Sequence, residues 1–167
     1  AAFLALADER EGTVLVNWPF LNDDLGAVER MLLHPDTVMG LADAGAHCGL
    51  IMDASQPTFY LSYWVRDRGV ISIGEGIRRM TSDTAALFGI ADRGVLRPGA
   101  FADVNVIDLD GMRLPQPEYV HDFPAGAGRY VQRAKGYDTT IVNGEVFMEN
   151  GVHAGALAGR VLRSQPD

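Results

Sequence analysis

The chain has 167 residues, of which 47% are apolar, so it is long enough to bury a hydrophobic core. Its formal net charge of −8 argues against a nucleic-acid or anionic-membrane partner, because such surfaces are bound by basic patches. Its single cysteine excludes an internal disulfide and fits a cytoplasmic location. No apolar run approaches the roughly 18 residues that a transmembrane helix needs.

The first quarter of the sequence has the pattern of a parallel α/β unit. Residues 1–11 predict a helix that Gly12 closes, and residues 13–16 predict a buried strand followed by a loop over 17–20. Asn22 or Asp23 is expected to cap the next helix, which ends before Pro35. Residues 37–43 then predict a second buried strand, so the pattern is a strand–helix–strand crossover.

Three short helices are predicted in the middle of the chain. The first covers residues 57–68 and ends at Gly69, and the third covers residues 83–88 and ends at Gly89. Between them, the sequence from Ser72 to Glu75 has the form of a capping box. The helix that it opens is expected to bury Ile73, Ile77 and Met80.

From residue 93 onward the apolar period changes to two, which predicts a small antiparallel β unit with exposed edges. Asn143-Gly144 predicts a type I′ hairpin, because both residues tolerate the positive φ angles of that turn. Asn150-Gly151 predicts a second turn, and residues 111–128 are expected to form a loop across the surface of the β unit.

The most informative stretch is Leu-Ala-Asp-Ala-Gly-Ala-His over residues 41–47. It places Asp43 at the carboxyl end of the second predicted strand and His47 four positions later. Parallel α/β sheets build their sites at that edge, which favours a catalytic role for Asp43. Aspartate is also an ordinary turn or cap residue, and a single histidine near a site is often structural, so the residues alone leave both roles open.

The run from His34 to His47 resembles the last barrel strand of the amidohydrolase superfamily, in the branch of the N-acyl-D-amino-acid deacylases (D-aminoacylases). Further segments agree in order, at residues 81–89, 93–99, 102–103, 120–124 and 142–146. The resemblance implies an α/β fold, with the C-terminal part of a TIM-like (β/α)8 barrel over residues 1–92. The C-terminal half of a small antiparallel β-sandwich follows over residues 93–167. It also implies that the chain is the C-terminal portion of a longer protein and an incomplete catalytic unit, with the remainder of that protein as its partner.

The function that the resemblance implies is zinc-dependent hydrolysis of a non-peptide C–N amide bond in a small molecule, an N-acyl (D-)amino acid. Asp43 would be the general base and acid beside a metal-bound water, and it is also a candidate metal ligand. His47 would bind the substrate's carbonyl or carboxylate group. The resemblance implies that the zinc ligands lie mainly in an N-terminal part of the protein, on earlier strands. In this chain, His34, His121 and His153 show no zinc-ligand spacing. A homo-oligomer is left open.

Two alternatives remain at this stage. The first is a cyclic-amide hydrolase of the dihydropyrimidinase or hydantoinase kind, and the second is a non-catalytic fragment or interaction module whose strand edges pair with another chain. Residues 50–63 contain no Arg or Lys, whereas D-aminoacylases carry Arg shortly after the catalytic Asp, where it can hold the substrate carboxylate. Either another part of the protein holds that group or the substrate is different. Three aromatic residues in or next to this stretch either line a pocket or belong to the core: Tyr60, Tyr63 and Trp64.

Overall fold

The computed structural model describes residues 2–12, 14, 21–50 and 53–163. They form two units, one ending at Thr37 and the other beginning at Val38. The predicted strand over 13–16, apart from Val14, and the loop over 17–20 lie outside the described residues. None of the helices in the described part of the chain has the length and apolar character that crossing a membrane requires.

The first unit contains two helices, α1 (Ala2–Glu9) and α2 (Leu25–Leu33). After α1, the amide of Gly12 donates to the carbonyl of Ala7 at 2.8 Å, with Gly12 at a φ of 76°. This is the left-handed helix end that the sequence predicted.

The N-cap of α2 corrects the sequence-based expectation, which placed it at Asn22 or Asp23. Asp24 is the cap, and its Oδ1 accepts from the amides of Gly26 at 2.9 Å and Ala27 at 3.2 Å. Asn22 instead adopts a left-handed φ of 56°. Only the residue directly before the first helical turn can reach those amides, so the helix start at Leu25 decides which acid caps it.

The second unit begins its regular structure with a helical region that follows a 3₁₀ turn, Asp53–Ser55. The helices are α3 (Gln56–Phe59), which continues as a π-helical segment (Tyr60–Asp67), α4 (Ile73–Met80) and α5 (Ser82–Leu87). Gly69 and Gly89 follow with φ angles of 61° and 66°, which confirms the predicted helix ends. The π-helical spacing was not predicted from the sequence.

The rest of the unit is antiparallel β structure. Its strands are β1 (Val104–Ile107), β2 (Glu118–Val120), β3 (Arg129–Val131), β4 (Tyr137–Val142), β5 (Glu145–Glu149) and β6 (Val152–His153). A four-stranded sheet has the order β1-β4-β5-β6, and β2 pairs with β3 in a separate hairpin. Asn143 and Gly144 join β4 to β5 with φ angles of 51° and 86°, so the predicted I′ turn is confirmed. The loop predicted over 111–128 was wrong in part, because it contains β2.

A small core joins the helical region to the β structure. It consists of the buried side chains of Tyr60, Leu61, Trp64, Val65, Ile71 and Met112. The hydroxyl groups of Thr58 and Tyr137 share a hydrogen bond of 3.0 Å. The Arg66 guanidinium donates to the carbonyls of Leu109 at 2.9 Å and Met112 at 2.5 Å. The Thr58 contact joins α3 to β4, and the Arg66 contacts attach the π-helical segment to the chain segment between β1 and β2.

The buried face of α4 also differs from the prediction. Ile73 and Ile77 are 49% and 36% exposed, and the buried residue of α4 is Gly76. A Cβ on Gly76 would lie 2.7 Å from Cγ2 of Val65, so glycine permits the close approach of α4 to the π-helical segment. The apolar period predicted the helix, but it did not predict that the face carrying Gly76 contacts the π-helical segment.

Candidate active site

The segment that follows residue 37 is the candidate site, and its local structure corrects the expectation of a strand. Residues 38–43 make no strand pairing in the described structure, and Leu41 is 100% exposed. A parallel strand needs hydrogen-bonded neighbours, and none of the described strands pairs with this segment. The predicted strand over 37–43 was therefore wrong for this chain as it stands.

Residues 43–50 form two consecutive turns. The amide of Ala46 donates to the carbonyl of Asp43 at 3.0 Å, and the amide of Leu50 donates to the carbonyl of His47 at 2.7 Å. Gly45 has a φ of 91°, a conformation that favours glycine. We call residues 43–50 the Asp43 loop.

Both candidate site residues, Asp43 and His47, are exposed side chains on this loop. Within the described residues the Asp43 carboxylate has no hydrogen-bond or ion-pair partner, although its backbone carbonyl holds the first turn. It does not cap a helix, because no described helix begins next to it.

The end of the Asp43 loop contacts the β2–β3 hairpin, which sequence reasoning did not predict. The amide of Tyr130 on β3 donates to the carbonyl of Cys48 at 3.0 Å. Tyr119 on β2 is directly opposite Tyr130, and its ring stacks edge-on against it with centroids 5.0 Å apart. No sequence signal indicated this contact, because about 80 residues separate the two segments.

The three histidines other than His47 make local hydrogen bonds. Nδ1 of His121 lies 3.0 Å from the carbonyl of Gly126, as expected for a residue that fixes a loop. Nδ1 of His153 accepts from the amide of Gly155, and Nδ1 of His34 accepts from the amide of Asp36. Among residues 2–12, 21–50 and 53–163, no three His, Cys, Asp or Glu side chains come close enough to hold a metal ion. The described residues therefore do not fit a complete zinc site.

The acids with lowered pKa values lie in ion pairs outside the Asp43 loop. Hydrogen bonds from Arg78 and Arg79 lower the pKa of Glu75 to about 2. A two-point hydrogen bond from Arg129 lowers the pKa of Asp122. These groups stabilise a helix and a hairpin, and neither is a candidate catalytic acid.

Two of the three aromatic residues that the sequence left open as pocket or core are buried, and Tyr63 is half-buried. Tyr60 and Trp64 are 3% and 2% exposed, so the core interpretation of these two is confirmed. Burial raises the pKa of Tyr60. Arg66, the first arginine after Asp43, donates to Asp67 and to backbone carbonyls. It is thus engaged in the packing of the π-helical segment.

Comparison with known proteins identifies the family. The sequence model described as "Amidohydrolase family" matches residues 11–148, most of the chain, and the match includes the Asp43 loop. This chain belongs to the amidohydrolase family. The resemblance to the amidohydrolase superfamily inferred from residues 34–47 is thereby confirmed, and the chain is also similar to D-aminoacylases, as the relatives described next show.

Several relatives are D-amino-acid deacylases. The D-aminoacylase of Alcaligenes xylosoxydans xylosoxydans is 36% identical over 102 residues, which are 61% of this chain and 19% of that protein. The N-acyl-D-glutamate deacylase of the same organism is 42% identical over 53 residues, 32% of this chain and 11% of that protein. A crystal structure of a D-aminoacylase superimposes with a TM-score of 0.51 at 31% identity, covering 64% of this chain and 21% of that one.

A dihydroorotase is also among the relatives. The dihydroorotase of Endomicrobium trichonymphae is 40% identical over 43 residues, 26% of this chain and 10% of that protein. This amidohydrolase chain spans about a fifth of the length of the D-aminoacylase that it matches. Its mixed helix and sheet architecture is similar to the corresponding part of the D-aminoacylase fold.

Proposed function

We propose that this chain contributes the general base to a metal-dependent hydrolase that cleaves a non-peptide C–N amide bond in an N-acyl-D-amino acid. The observation that carries the proposal is the amidohydrolase match, which includes the Asp43 loop. The D-aminoacylase and N-acyl-D-glutamate deacylase relatives support the substrate class. A cytoplasmic location belongs to the same proposal.

We also propose the architecture that the family resemblance implies. Residues 1–92 would be the last strands and helices of a (β/α)8 barrel, and residues 93–167 would be the C-terminal half of a β-sandwich. The share of the D-aminoacylase that the chain covers, 19%, supports a role as one portion of a larger catalytic unit. Full exposure of the apolar Leu41 is consistent with a segment that packs when neighbouring strands are present.

In this proposal Asp43 moves the proton of the reaction. Its carboxylate accepts a proton from the attacking water and delivers it to the amide nitrogen, which leaves as an amine once it is protonated. A positioned base contributes about 10²–10⁴ in rate. His47, four residues later and exposed, would contact the substrate's carbonyl or carboxylate group. The proposal that the metal is zinc rests on the family resemblance alone, since the described residues provide no complete metal site.

The experiment that tests this role is Asp43→Asn in the full-length protein that carries these residues, assayed on N-acetyl-D-amino acids. The substitution keeps the shape of the side chain and removes its basicity, so we expect kcat to fall by about 10²–10⁴ with folding and metal content unchanged. Asp36→Asn is the matched control, because Asp36 is an exposed turn acid with a side chain 88% accessible. Activity of Asp43→Asn within tenfold of wild type would rule the role out.

A cyclic-amide hydrolase is the second candidate, and the dihydroorotase relatives favour it. The absence of Arg and Lys from residues 50–63 favours only those cyclic amides that lack a carboxylate, such as hydantoins, because that stretch offers no cation for such a group and dihydroorotate carries one. A panel of N-acetyl-D-amino acids, N-acetyl-L-amino acids, dihydroorotate and hydantoins separates the two. Turnover of the cyclic amides alone would replace the first substrate class. Loss of all turnover from a folded, metal-loaded full-length protein would favour a non-catalytic module.

A further inference from the structure

The β2–β3 hairpin is joined to the Asp43 loop by the hydrogen bond of 3.0 Å from the Tyr130 amide to the Cys48 carbonyl. The Tyr119 phenol lies next to the same part of the loop. Its oxygen is 3.9 Å from the position that a Cβ on Gly49 would occupy, so a side chain there would touch it. The Cys48 carbonyl therefore faces Tyr130, and Gly49 faces Tyr119. These two tyrosines are cross-strand partners in the hairpin.

The Tyr119 ring fits closely against the hairpin itself. A Cβ on Gly128 would contact Cε1 of Tyr119 and would lie 2.7 Å from Cζ and 2.8 Å from the phenol oxygen. Real Cβ atoms do not approach other atoms this closely, so a side chain at position 128 would displace the ring. The rings of His121 and Tyr119 meet edge-on, with centroids 5.3 Å apart. The Tyr119 ring therefore has neighbours within the hairpin, although the residue is 43% exposed.

The far end of the hairpin is braced independently. Nε and Nη2 of Arg129 donate to the two carboxylate oxygens of Asp122 at 2.8 and 2.7 Å. The guanidinium also lies over the Phe123 ring, 5.4 Å from its centroid. The amide of Phe123 donates to the carbonyl of Ala127 at 3.2 Å and closes the tip. A two-point ion pair of this kind fixes the relative position of two chain segments.

We propose that the β2–β3 hairpin is the positioning element of the general base, with Tyr119 and the Tyr130 backbone amide fixing the Asp43 loop. The turns over residues 43–46 and 47–50 are each closed by a backbone hydrogen bond and follow one another directly, so an anchor at Cys48 in the second turn restrains the chain back toward Asp43 in the first. Displacement of a reacting group by about 1 Å can cost about 10² in rate. The inference rests on the proposed role of Asp43.

Gly128→Ala in the full-length protein tests the proposal, because it pushes the Tyr119 ring away without touching the Asp43 loop. We expect kcat per folded molecule to fall by about tenfold or more, with KM changed by less than about twofold. Deuterium uptake of the peptide covering residues 43–50 should rise. Gly111→Ala is the matched control: its Cβ would crowd the Asp108 side chain, and it should leave kcat and that uptake unchanged.

If Gly128→Ala does not fold, Tyr119→Leu removes the ring without crowding, and Tyr137→Leu is its control in the larger sheet. The same fall in kcat and rise in uptake are expected for Tyr119→Leu alone. The proposal would be overturned if each variant had the same kcat as its control. It would also be overturned if the deuterium uptake of residues 43–50 stayed at the wild-type level. If Asp43→Asn is inactive while Gly128→Ala matches Gly111→Ala, only the positioning role fails. If Asp43→Asn is active, the proposed function fails and takes the positioning role with it.

Discussion

Truncation of Met112 tests how the helical region is held to the β structure. Met112 lies between β1 and β2 and is 1% exposed, and the Arg66 guanidinium binds its carbonyl. Met112→Ala removes the thioether end from the core, and the loss of that buried apolar surface costs about 1.5–3 kcal/mol of stability. The cavity left behind adds to this, which gives a total loss of about 2–5 kcal/mol in the free energy of unfolding.

Urea unfolding followed by far-UV circular dichroism measures this loss, and thermal unfolding should show a melting temperature at least about 4 °C lower. Leu96→Ala is the control, because Leu96 is 80% exposed and its truncation should change stability by less than about 0.5 kcal/mol. A loss below about 1 kcal/mol for Met112→Ala would refute the reasoning. It would mean that the six buried apolar side chains do not unfold as one core.

Two further predictions concern α4. Gly76→Ala should lower the free energy of unfolding by about 1–3 kcal/mol through crowding of Val65, whereas Gly74→Ala on the same helix meets nothing within 4 Å and should stabilise by about 0.4–1 kcal/mol. Thermal unfolding of both variants checks this, and a stability change in the same direction for both variants would contradict it. The Glu75 carboxylate, with its pKa lowered to about 2 from an ordinary 4.5, stabilises the fold above about pH 4.5 and loses that contribution as pH falls toward 2. The stability advantage of wild type over Glu75→Gln should therefore shrink across that window, and a pH-independent difference would contradict the assignment.

Features set by neighbouring residues could be predicted from the sequence. The Asn143-Gly144 turn and the helix ends at Gly12, Gly69 and Gly89 depend on backbone preferences that each residue carries with it. The amidohydrolase family was likewise recognisable, because its motif is a contiguous run ending at His47.

Features that depend on distant partners could not be predicted. Residues 37–43 have the composition of a strand, but a strand forms only beside other strands, and none of the described ones pairs with it. The contact between Cys48 and Tyr130 joins segments far apart in the chain, and no local pattern encodes it. The buried face of α4 depends on the close approach of the π-helical segment to Gly76. The spacing of apolar residues in the sequence does not predict that approach.

The most direct test of the central claim is the pH dependence of kcat in the full-length protein and in Asp43→Asn. A general base must be deprotonated to act, so the wild-type rate should fall about tenfold per pH unit on the acid side. The account predicts that Asp43→Asn leaves a residual rate lower by about 10²–10⁴ in which that acid limb is absent. A variant that keeps the wild-type acid limb with a rate within tenfold of wild type would contradict it.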